Sequence, residues 1–276
     1  MSREIEDLIE AGLAVIDDAI QEHGPSHVFG CFSGGHDSLC ATHLASRHPA
    51  FSGAFHANTG IGIEQTRAFV RETCREHNWR LVEHKPEHHS YEEMVLDMGF
   101  PSGPKSHNRM LFYLKQRAMN RLVREHKTHW KDRIGLVTGI RKGESNRRMN
   151  AAMSVPTTRN GAKLWINPIL EWTADDCGRY IEYSGLRRNE VVDLLHRSGE
   201  CLCGAFANHR EIEEIDMWFP EAAKQIHDLE KRCRDKGLVD CKWAYPSQAP
   251  GKTWDEIDPE EVDPHFCMDC VGRHEP

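Results

Sequence analysis

A phosphate-binding turn is predicted where a short apolar run ends, at Ser33-Gly34-Gly35-His36-Asp37-Ser38. Two adjacent glycines let backbone N–H groups approach an anion closely, and a helix that begins near Asp37 would direct its positive dipole end toward that anion. The turn lacks the Lys-Ser or Lys-Thr ending of a Walker P-loop, so the lysine that reaches the outer phosphates there is missing. An ordinary strand-to-helix turn is the alternative, but the flanking hydroxyls, the acid and the preceding apolar run favour phosphate binding.

A second group of residues with a chemical signature is basic and follows the apolar run at 134–138. It places four basic side chains within eight residues, namely Arg141, Lys142, Arg147 and Arg148. Guanidinium forks pair with phosphate or sulfate oxygens in bidentate fashion, so this group suits a ligand with several such oxygens. A solvated helix face is the alternative interpretation.

Ten cysteines are present, and six of them lie after residue 200. Disulfides are rare in the cytosol, whereas metal binding and redox chemistry by cysteine are common there. The close pairs Cys201-Leu-Cys203 and Cys267-Met-Asp-Cys270 supply four thiolates, the number that a structural zinc or a [4Fe–4S] cluster needs. Four free thiols are the alternative, and Cys233 or Cys241 could replace a ligand. We therefore expect a metal or redox element in the last quarter of the chain.

Alternating helical and strand-like patterns must position these groups. Helices are predicted over residues 4–22, 37–47, 63–77 and 107–126, and strands over residues 27–32, 51–57, 80–83 and 134–138. The alternation with short connections predicts an α/β fold, a three-layer parallel sheet with helices on both faces. Ligands of such sheets lie at the carboxyl ends of the strands, where Ser33, Asn58 and Gly139 are found.

Composition limits the classes of protein that fit. The chain has 276 residues, 39% of them hydrophobic, so it can bury a full core. Its net charge of −8 gives no global basic field for nucleic acid. No apolar stretch is long enough to cross a bilayer, and the acidic start lacks a signal-peptide pattern. We therefore expect no membrane partner and a cytoplasmic location.

The order of the motifs resembles the phosphoadenosine phosphosulfate reductase family of the adenine-nucleotide alpha-hydrolase-like, or PP-loop, superfamily over about residues 25–205. The turn at 33–38 is similar to the PP-loop itself, and Asn58-Thr59-Gly60 is similar to a strand-end Asp-Thr-Gly or Asn-Thr-Gly. The segment Gly139-Ile-Arg141-Lys-Gly-Glu144-Ser145-Asn-Arg147-Arg148 resembles the family's Gly-x-Arg-x-x-Glu-Ser-x-x-Arg. The helix that carries Leu114-Lys115 resembles its Arg-x-Cys-x-x-x-Leu-Lys, and residues 167–176 resemble its Pro-Leu-x-x-Trp-x-x-x-Asp-Val, where Thr173 and Asp176 are expected to cap a helix.

The resemblance implies an adenine-nucleotide site and a metal or cluster site. The nucleotide would contact Ser33, Gly34, Gly35, Asp37, Ser38, Asn58, Thr59, Gly60, Gly139, Arg141, Glu144 and Ser145. The catalytic residues would be Asp37, Ser38, Lys115, Arg141 and Arg148. Asp37 would help to place Mg²⁺, and the basic side chains would neutralise charge at the leaving group. A [4Fe–4S] cluster, with zinc as the alternative, would bind Cys201, Cys203, Cys267 and Cys270.

The resemblance also implies a division of the chain and a choice of chemistry. We expect a PP-loop nucleotide-binding domain over residues 1–200 and a helical, cysteine-bearing region over 201–276, with helices at about 208–218 and 220–236. Reductases of the family carry a nucleophilic cysteine in a Glu-Cys-Gly-Ile-His segment that this sequence lacks, which weakens sulfonucleotide reduction. The resemblance then favours an ATP pyrophosphatase that activates an acceptor by adenylation for sulfur transfer, similar to the DNA phosphorothioation members.

Two alternatives stay open from the sequence. One is a phosphoadenosine phosphosulfate or adenosine phosphosulfate reductase, and the other is a zinc-stabilised nucleotide-binding module without turnover. The partners implied by the primary interpretation are an adenine nucleotide, a sulfur donor such as a cysteine desulfurase, and DNA reached through partner proteins.

Overall fold

The fold is built on one six-stranded sheet. A computed structural model describes residues 4–143, 155–238, 241–245 and 254. The strands are β1 (His27–Cys31), β2 (Phe51–Ala57), β3 (Leu81–His84), β4 (Ile134–Val137), β5 (Thr157–Asn160) and β6 (Lys163–Ile166). Their order in the sheet is β3-β2-β1-β4-β6-β5, and every neighbouring pair is parallel except β5 with β6. The predicted α/β fold is confirmed, with an antiparallel edge strand that the sequence interpretation did not include.

Helices cover both faces of the sheet. They are α1 (Ile5–His23), α2 (His36–Ser46), α3 (Glu64–Glu76), α4 (Tyr91–Met98), α5 (Gly103–Leu111), a π-helical turn (Phe112–Gln116), α6 (Arg117–His126), α7 (Ala174–Tyr183), α8 (Glu190–Leu195), α9 (Glu211–Trp218) and α10 (Pro220–Asp235). One apolar cluster joins α1, α2, α3 and α7 to the sheet, and a second cluster packs α6 on the strands from the other side. The sheet is therefore the middle layer of three.

Local sequence explains where several of these elements begin. The predicted cap of α7 is present, because the Thr173 side chain accepts a hydrogen bond from the N–H of Asp176 and the Asp176 carboxylate accepts one from the N–H of Thr173. Ser90 and Glu93 form the same reciprocal arrangement at the start of α4. Such capping boxes satisfy two N–H groups that would otherwise lack partners at a helix start.

A third apolar cluster packs the chain that follows residue 200 against the preceding part. Leu202, Cys203 and the inner faces of α9 and α10 share this cluster with Ile61, Ile63 and α4. The indole N–H of Trp243 donates to the carbonyl of Leu202 at 2.7 Å, which ties the later segment down. The division into domains at residues 200 and 201 stays a prediction, while the described residues on its two sides share one core.

None of the helices in the described ranges is both long enough and apolar enough to span a bilayer.

Candidate functional site

A cavity of about 640 Å³ opens at the carboxyl ends of β1, β2 and β4. Its lining combines polar residues, among them Ser33, Asp37 and Ser38, with the aromatic residues Phe55 and Trp165. This volume lies within the range of ordinary small-molecule sites. A lining that is partly apolar and partly polar suits a ligand with an aromatic ring and charged groups.

The phosphate-binding turn (residues 33–38) is closed by its own hydroxyls. The Ser38 hydroxyl donates to the Gly35 carbonyl at 2.9 Å and accepts a hydrogen bond from the Ser33 N–H at 3.3 Å, and the two serine hydroxyls lie 3.1 Å apart. Gly34 has φ +85°, and a Cβ there would lie 2.5 Å from the Thr66 methyl group, so only glycine fits. No side chain caps α2 at Gly35, and the first-turn residues of α2 line the cavity. The turn thus presents helix N–H groups to a ligand.

Gly139 brings the end of β4 against the same turn. A Cβ at Gly139 would lie 2.6 Å from the carbonyl carbon of Asp37 and 2.6 Å from the backbone nitrogen of Ser38. These are backbone atoms and have little room to yield. The absence of a side chain at Gly139 therefore lets the segment that carries Arg141 lie directly beside the first turn of α2.

Arg141 and Asp37 form an ion pair inside the cavity. The Nε of Arg141 lies 2.9 Å from Oδ2 of Asp37, and both side chains are mostly shielded from solvent. The structure thus brings together two residues that were predicted for separate roles, magnesium placement and charge neutralisation. Because the pair is already formed, an incoming phosphate or cation would exchange partners with it and would not meet an isolated charge.

Lys115 reaches the cavity from the π-helical turn between α5 and α6. A π turn inserts one extra residue into the helix and changes which face the following side chains occupy, and such turns are frequent at functional sites. Tyr113 lies between two guanidinium groups, with the Arg109 and Arg117 carbons 5.5 and 5.2 Å from the ring centroid. The sequence interpretation predicted one continuous helix here and missed the irregularity.

The strand-end segment Asn58-Thr59-Gly60 does not belong to the described wall of this cavity. Asn58 donates from its amide to Glu83 at 2.6 Å, and the Thr59 hydroxyl donates to the carbonyl of Glu200 at 2.6 Å. The structure therefore connects this segment to residues just before Cys201. Its predicted contact with a nucleotide stays a prediction.

Two functional candidates that sequence reasoning missed are His56 and Glu200. Both side chains are buried, and Nε2 of His56 lies 3.1 Å from Oε2 of Glu200, while Nδ1 lies 2.8 Å from the Phe32 carbonyl oxygen. Burial opposes the charged ring, but the charge and hydrogen bond of Glu200 and the Phe32 carbonyl leave the pKa of His56 raised. No sequence signal pairs two residues so far apart along the chain.

The described cysteines of the predicted metal site are Cys201, which is half-buried, and Cys203, which is buried. Cys267 and Cys270 lie outside the described residues, as do Glu144, Ser145 and Arg148. Within the described ranges, no three His, Cys, Asp or Glu side chains are arranged to hold a metal ion. The four-cysteine site therefore stays a prediction, of which the structure describes one pair.

Cys233 and Cys241 are buried in the apolar cluster that contains Cys203. A hydrogen bond to Cys241, together with burial, raises the pKa of the Cys233 thiol. Both thiols share this cluster with Cys203, so the alternative in which Cys233 or Cys241 replaces a metal ligand stays a prediction.

Comparison with known proteins gives a family match over most of this site. A family model described as "Phosphoadenosine phosphosulfate reductase domain" matches residues 27–201. An uncharacterized protein of Methanocaldococcus jannaschii is 25% identical over 202 residues, which are 73% of this chain and 47% of the relative. The chain thus spans about half the length of this relative.

Solved structures of low identity align with about the same share of the chain. A phosphoadenylyl-sulfate reductase from Candida auris, in a phosphate complex, aligns with a TM-score of 0.49 and 19% identity over 70% of this chain and 93% of its own. The FMN adenylyltransferase of Candida glabrata, in complex with FMN and the ATP analog AMPCPP, aligns with a TM-score of 0.47 and 12% identity over 70% of this chain and 65% of its own.

Proposed function

The chain belongs to the phosphoadenosine phosphosulfate reductase domain family, and from this premise we propose that its cavity binds ATP and cleaves it between the α- and β-phosphates. In this proposal the AMP group is transferred to an acceptor oxygen, which prepares the acceptor for sulfur transfer. The observation that carries the proposal is one cavity whose lining contains the phosphate-binding turn, Lys115 and Arg141. That lining offers uncapped helix N–H groups and two cationic side chains to a single chain of phosphates.

The state of the cavity thiols favours ATP cleavage over reduction of a sulfonucleotide. The described part of the cavity wall contains two cysteines, Cys31 and Cys177. Burial raises the pKa of Cys31 to about 12, and a hydrogen bond to Cys40, together with burial, raises the pKa of Cys177. A reductase needs a thiolate to attack sulfur, and neither of these thiols would ionise near neutral pH.

Different residues of the cavity lining would have different roles in adenylation. The N–H groups at the start of α2 and the hydroxyls of Ser33 and Ser38 would hold the β- and γ-phosphates. The acceptor oxygen would then bond to the α-phosphorus as the bond from that phosphorus to the bridging oxygen breaks. Lys115 and Arg141 would stabilise the negative charge that develops on the departing pyrophosphate.

Asp37 fits the metal that this chemistry requires. Its carboxylate lines the cavity, and an ionised oxygen donor is the type of ligand that Mg²⁺ prefers. When bound, Mg²⁺ would supply charge neutralisation at the phosphates. Arg141, the present partner of Asp37, would then be released toward the phosphate oxygens.

The acceptor and the sulfur donor belong to the proposal as well. We propose DNA phosphorothioation as the process, with sulfur from the persulfide of a donor such as a cysteine desulfurase. The terminal persulfide sulfur would bond to the activated phosphorus as AMP leaves, and a second thiol would then cleave the S–S bond, which leaves sulfur on the acceptor and a disulfide on the donor side. Because the net charge of −8 disfavours direct binding of DNA, partner proteins would make the main contacts with DNA in this proposal. Cys201 and Cys203 would hold a [4Fe–4S] cluster, or zinc, together with Cys267 and Cys270.

Pyrophosphate release from ATP and Mg²⁺ tests the proposal. We expect Ser38→Ala and Asp37→Ala to lower the rate by roughly 100-fold or more, since each removes a group that touches the phosphates or their metal. Ser46→Ala is the matched control, because Ser46 lies on the same helix and its hydroxyl donates to the His43 carbonyl away from the cavity. ATP that remains intact with every candidate acceptor would refute the proposal.

A sulfonucleotide reductase is the second candidate, since the matched family carries that description. It predicts sulfite release from adenosine phosphosulfate or its 3′-phosphate with a thiol donor, and a protein inactive on both substrates removes it. A zinc-stabilised module without turnover predicts tight nucleotide binding by a colourless protein with stoichiometric zinc. Visible absorbance from an iron–sulfur cluster would exclude that alternative.

A further inference from the structure

We propose that His56 and Glu200 are positioning residues that hold the cysteine segment (residues 198–203) in a fixed relation to the phosphate-binding turn. Occupation of the turn by a nucleotide would then lower the reactivity of the Cys201 thiol. This inference rests on the proposed function, because it assumes a nucleotide in the cavity and a chemical role for Cys201.

Glu200 lies in the cysteine segment, and its side chain connects this segment to Thr59, His56 and Arg67. Its carboxylate accepts a hydrogen bond from the Thr59 N–H at 2.8 Å, contacts His56 at 3.1 Å and lies 3.5 Å from Nε of Arg67. Only 2% of Glu200 is exposed, and Cys201 is the next residue along the chain. A shift of this carboxylate would therefore move the backbone that carries Cys201.

Backbone contacts fasten the same segment to the loop that follows β2. The N–H of Ile63 donates to the Gly199 carbonyl at 3.0 Å, and the N–H of Leu202 donates to the Ile61 carbonyl at 2.8 Å. A Cβ on Gly62 would lie 2.4 Å from the Glu200 carbonyl oxygen, so the two backbones touch. The cysteine segment is thus held on both sides of Glu200.

Two separate links join this assembly to the phosphate-binding turn. His56 donates from Nδ1 to the carbonyl of Phe32, the residue immediately before Ser33. Asn189 donates from its side-chain amide to the Gly34 carbonyl at 2.8 Å and to the Thr66 hydroxyl at 3.2 Å. Thr66 in turn donates to the carbonyl of Ser198. A phosphate that fixes the turn would therefore restrain residues 198–200 through both links.

The charges in this assembly make it costly to disturb. The Phe32 carbonyl can only accept a hydrogen bond, so Nδ1 of His56 carries a proton and Nε2 faces Glu200. The Arg67 guanidinium faces the same buried Glu200 side chain. Removal of one partner would leave an uncompensated buried charge, which is strongly unfavourable.

Alkylation of Cys201 tests the inference. The protein as purified, with any bound metal retained, is treated with iodoacetamide, and modification of the Cys201 peptide is followed by mass spectrometry. The nucleotide probe is α,β-methylene-ATP with Mg²⁺, which cannot be cleaved at the α–β position. We expect the probe to slow alkylation about tenfold in the wild type, a typical coupling between sites, and less than twofold in Glu200→Gln and His56→Gln.

Glu83→Gln is the matched control. Glu83 forms a comparable network, with hydrogen bonds to Arg71 and Asn58 and none to the cysteine segment among the described contacts, although its charge also acts on His56. This variant should keep the tenfold protection. Thr59→Val provides a milder change, since it removes only the hydroxyl that donates to the Glu200 carbonyl. It should also weaken the protection, and it keeps the test valid where Glu200→Gln or His56→Gln fails to fold.

The rate of Cys201 alkylation in the absence of nucleotide distinguishes a failure of this inference from a failure of the proposed function. Glu200→Gln and His56→Gln should raise that rate about tenfold over the wild type and Glu83→Gln, whether or not a nucleotide binds. A wild type that fails to bind the probe would refute the proposed function alone. Unchanged basal rates, or full protection in folded Glu200→Gln protein, would overturn the positioning role.

Discussion

At the scale of single residues, the site depends on places where a side chain is absent. Gly34 and Gly139 allow the turn, α2 and the end of β4 to meet, and each would clash with a neighbour if it carried a Cβ. The neighbour of Gly34 is a threonine methyl group, whereas the neighbours of Gly139 are backbone atoms of Asp37 and Ser38. The geometry of the phosphate-binding turn is therefore more sensitive to a change at Gly139 than the position of this residue after a strand would indicate.

Gly139→Ala should weaken both nucleotide binding and the fold. The added methyl group, 2.6 Å from backbone atoms of α2, must displace the first turn of that helix or the segment that carries Arg141. We expect at least a tenfold rise in Kd for ATP, measured by titration, and a loss of about 1–3 kcal/mol of stability in urea unfolding. Gly143→Ala is the control, because nothing lies within 4 Å of a Cβ there. Equal affinities of the two variants would contradict this account.

Sequence patterns predicted the residues that meet in the cavity lining, but they did not predict the partners of those residues. Ser33, Asp37 and Gly139 follow strands that are neighbours in a parallel sheet, so topology alone brings them to one edge. The pairing of Asp37 with Arg141, and that of His56 with Glu200, depends on side-chain geometry after folding. Nothing in the local sequence around Glu200 distinguishes a buried carboxylate from an exposed one.

At the scale of elements, α1, α2, α3, α9, α10 and strands β1 to β4 were predicted within a few residues, whereas α4, α8, the β5–β6 hairpin and the π-helical turn were missed. The β5–β6 hairpin turns through Gly161 and Ala162, and Gly161 has φ +59°. Glycine at the first position of a two-residue loop is a known signal for such turns. That signal was present and could have been used. The π-helical turn that carries Lys115 has no comparable sequence signal, because the residues around it fit an ordinary amphipathic helix.

The contact between α2 and α7 should make stability depend on pH. His43 lies 2.7 Å from the Tyr180 hydroxyl, and burial, followed by the nearby charges of His77 and Arg47, lowers the pKa of His43 to about 4. The unfolded chain therefore binds a proton at higher pH than the folded protein does, so stability is full above pH 6.5 and falls as the pH decreases toward 4.

We expect a loss of about 2 kcal/mol from this group between pH 7.5 and pH 5, measured by urea unfolding. His43→Gln should show a smaller loss over the same interval, because glutamine does not titrate. The difference between the two proteins isolates His43 from the other titrating groups. If the wild type loses no more stability than the variant over this pH interval, His43 is as easily protonated in the folded state as in the unfolded one, and the prediction is wrong.

At the scale of the whole molecule, the nucleotide half and the cysteine half are one packed unit over the described residues. The apolar cluster that holds Cys203 also contains Ile61, Ile63 and α4, and the buried network around Glu200 crosses the same boundary. Sequence patterns separated these halves because the motifs change character near residue 200. The contacts that join them involve residues such as Thr59 and Glu200, whose separation along the chain hides their proximity.

The last prediction concerns the metal content of this joined unit. Anaerobically purified protein should contain about four iron and four sulfide per chain if the late cysteines bind a [4Fe–4S] cluster, or about one zinc if they form a structural site. Cys201→Ser and Cys203→Ser should each lose most of that metal. Cys74→Ser should retain it, because burial raises the pKa of Cys74 to about 12 and its thiol lies in the other core. Metal-free wild-type protein would refute the metal site as a whole, whereas full metal content in Cys203→Ser would remove only Cys203 from the ligand set.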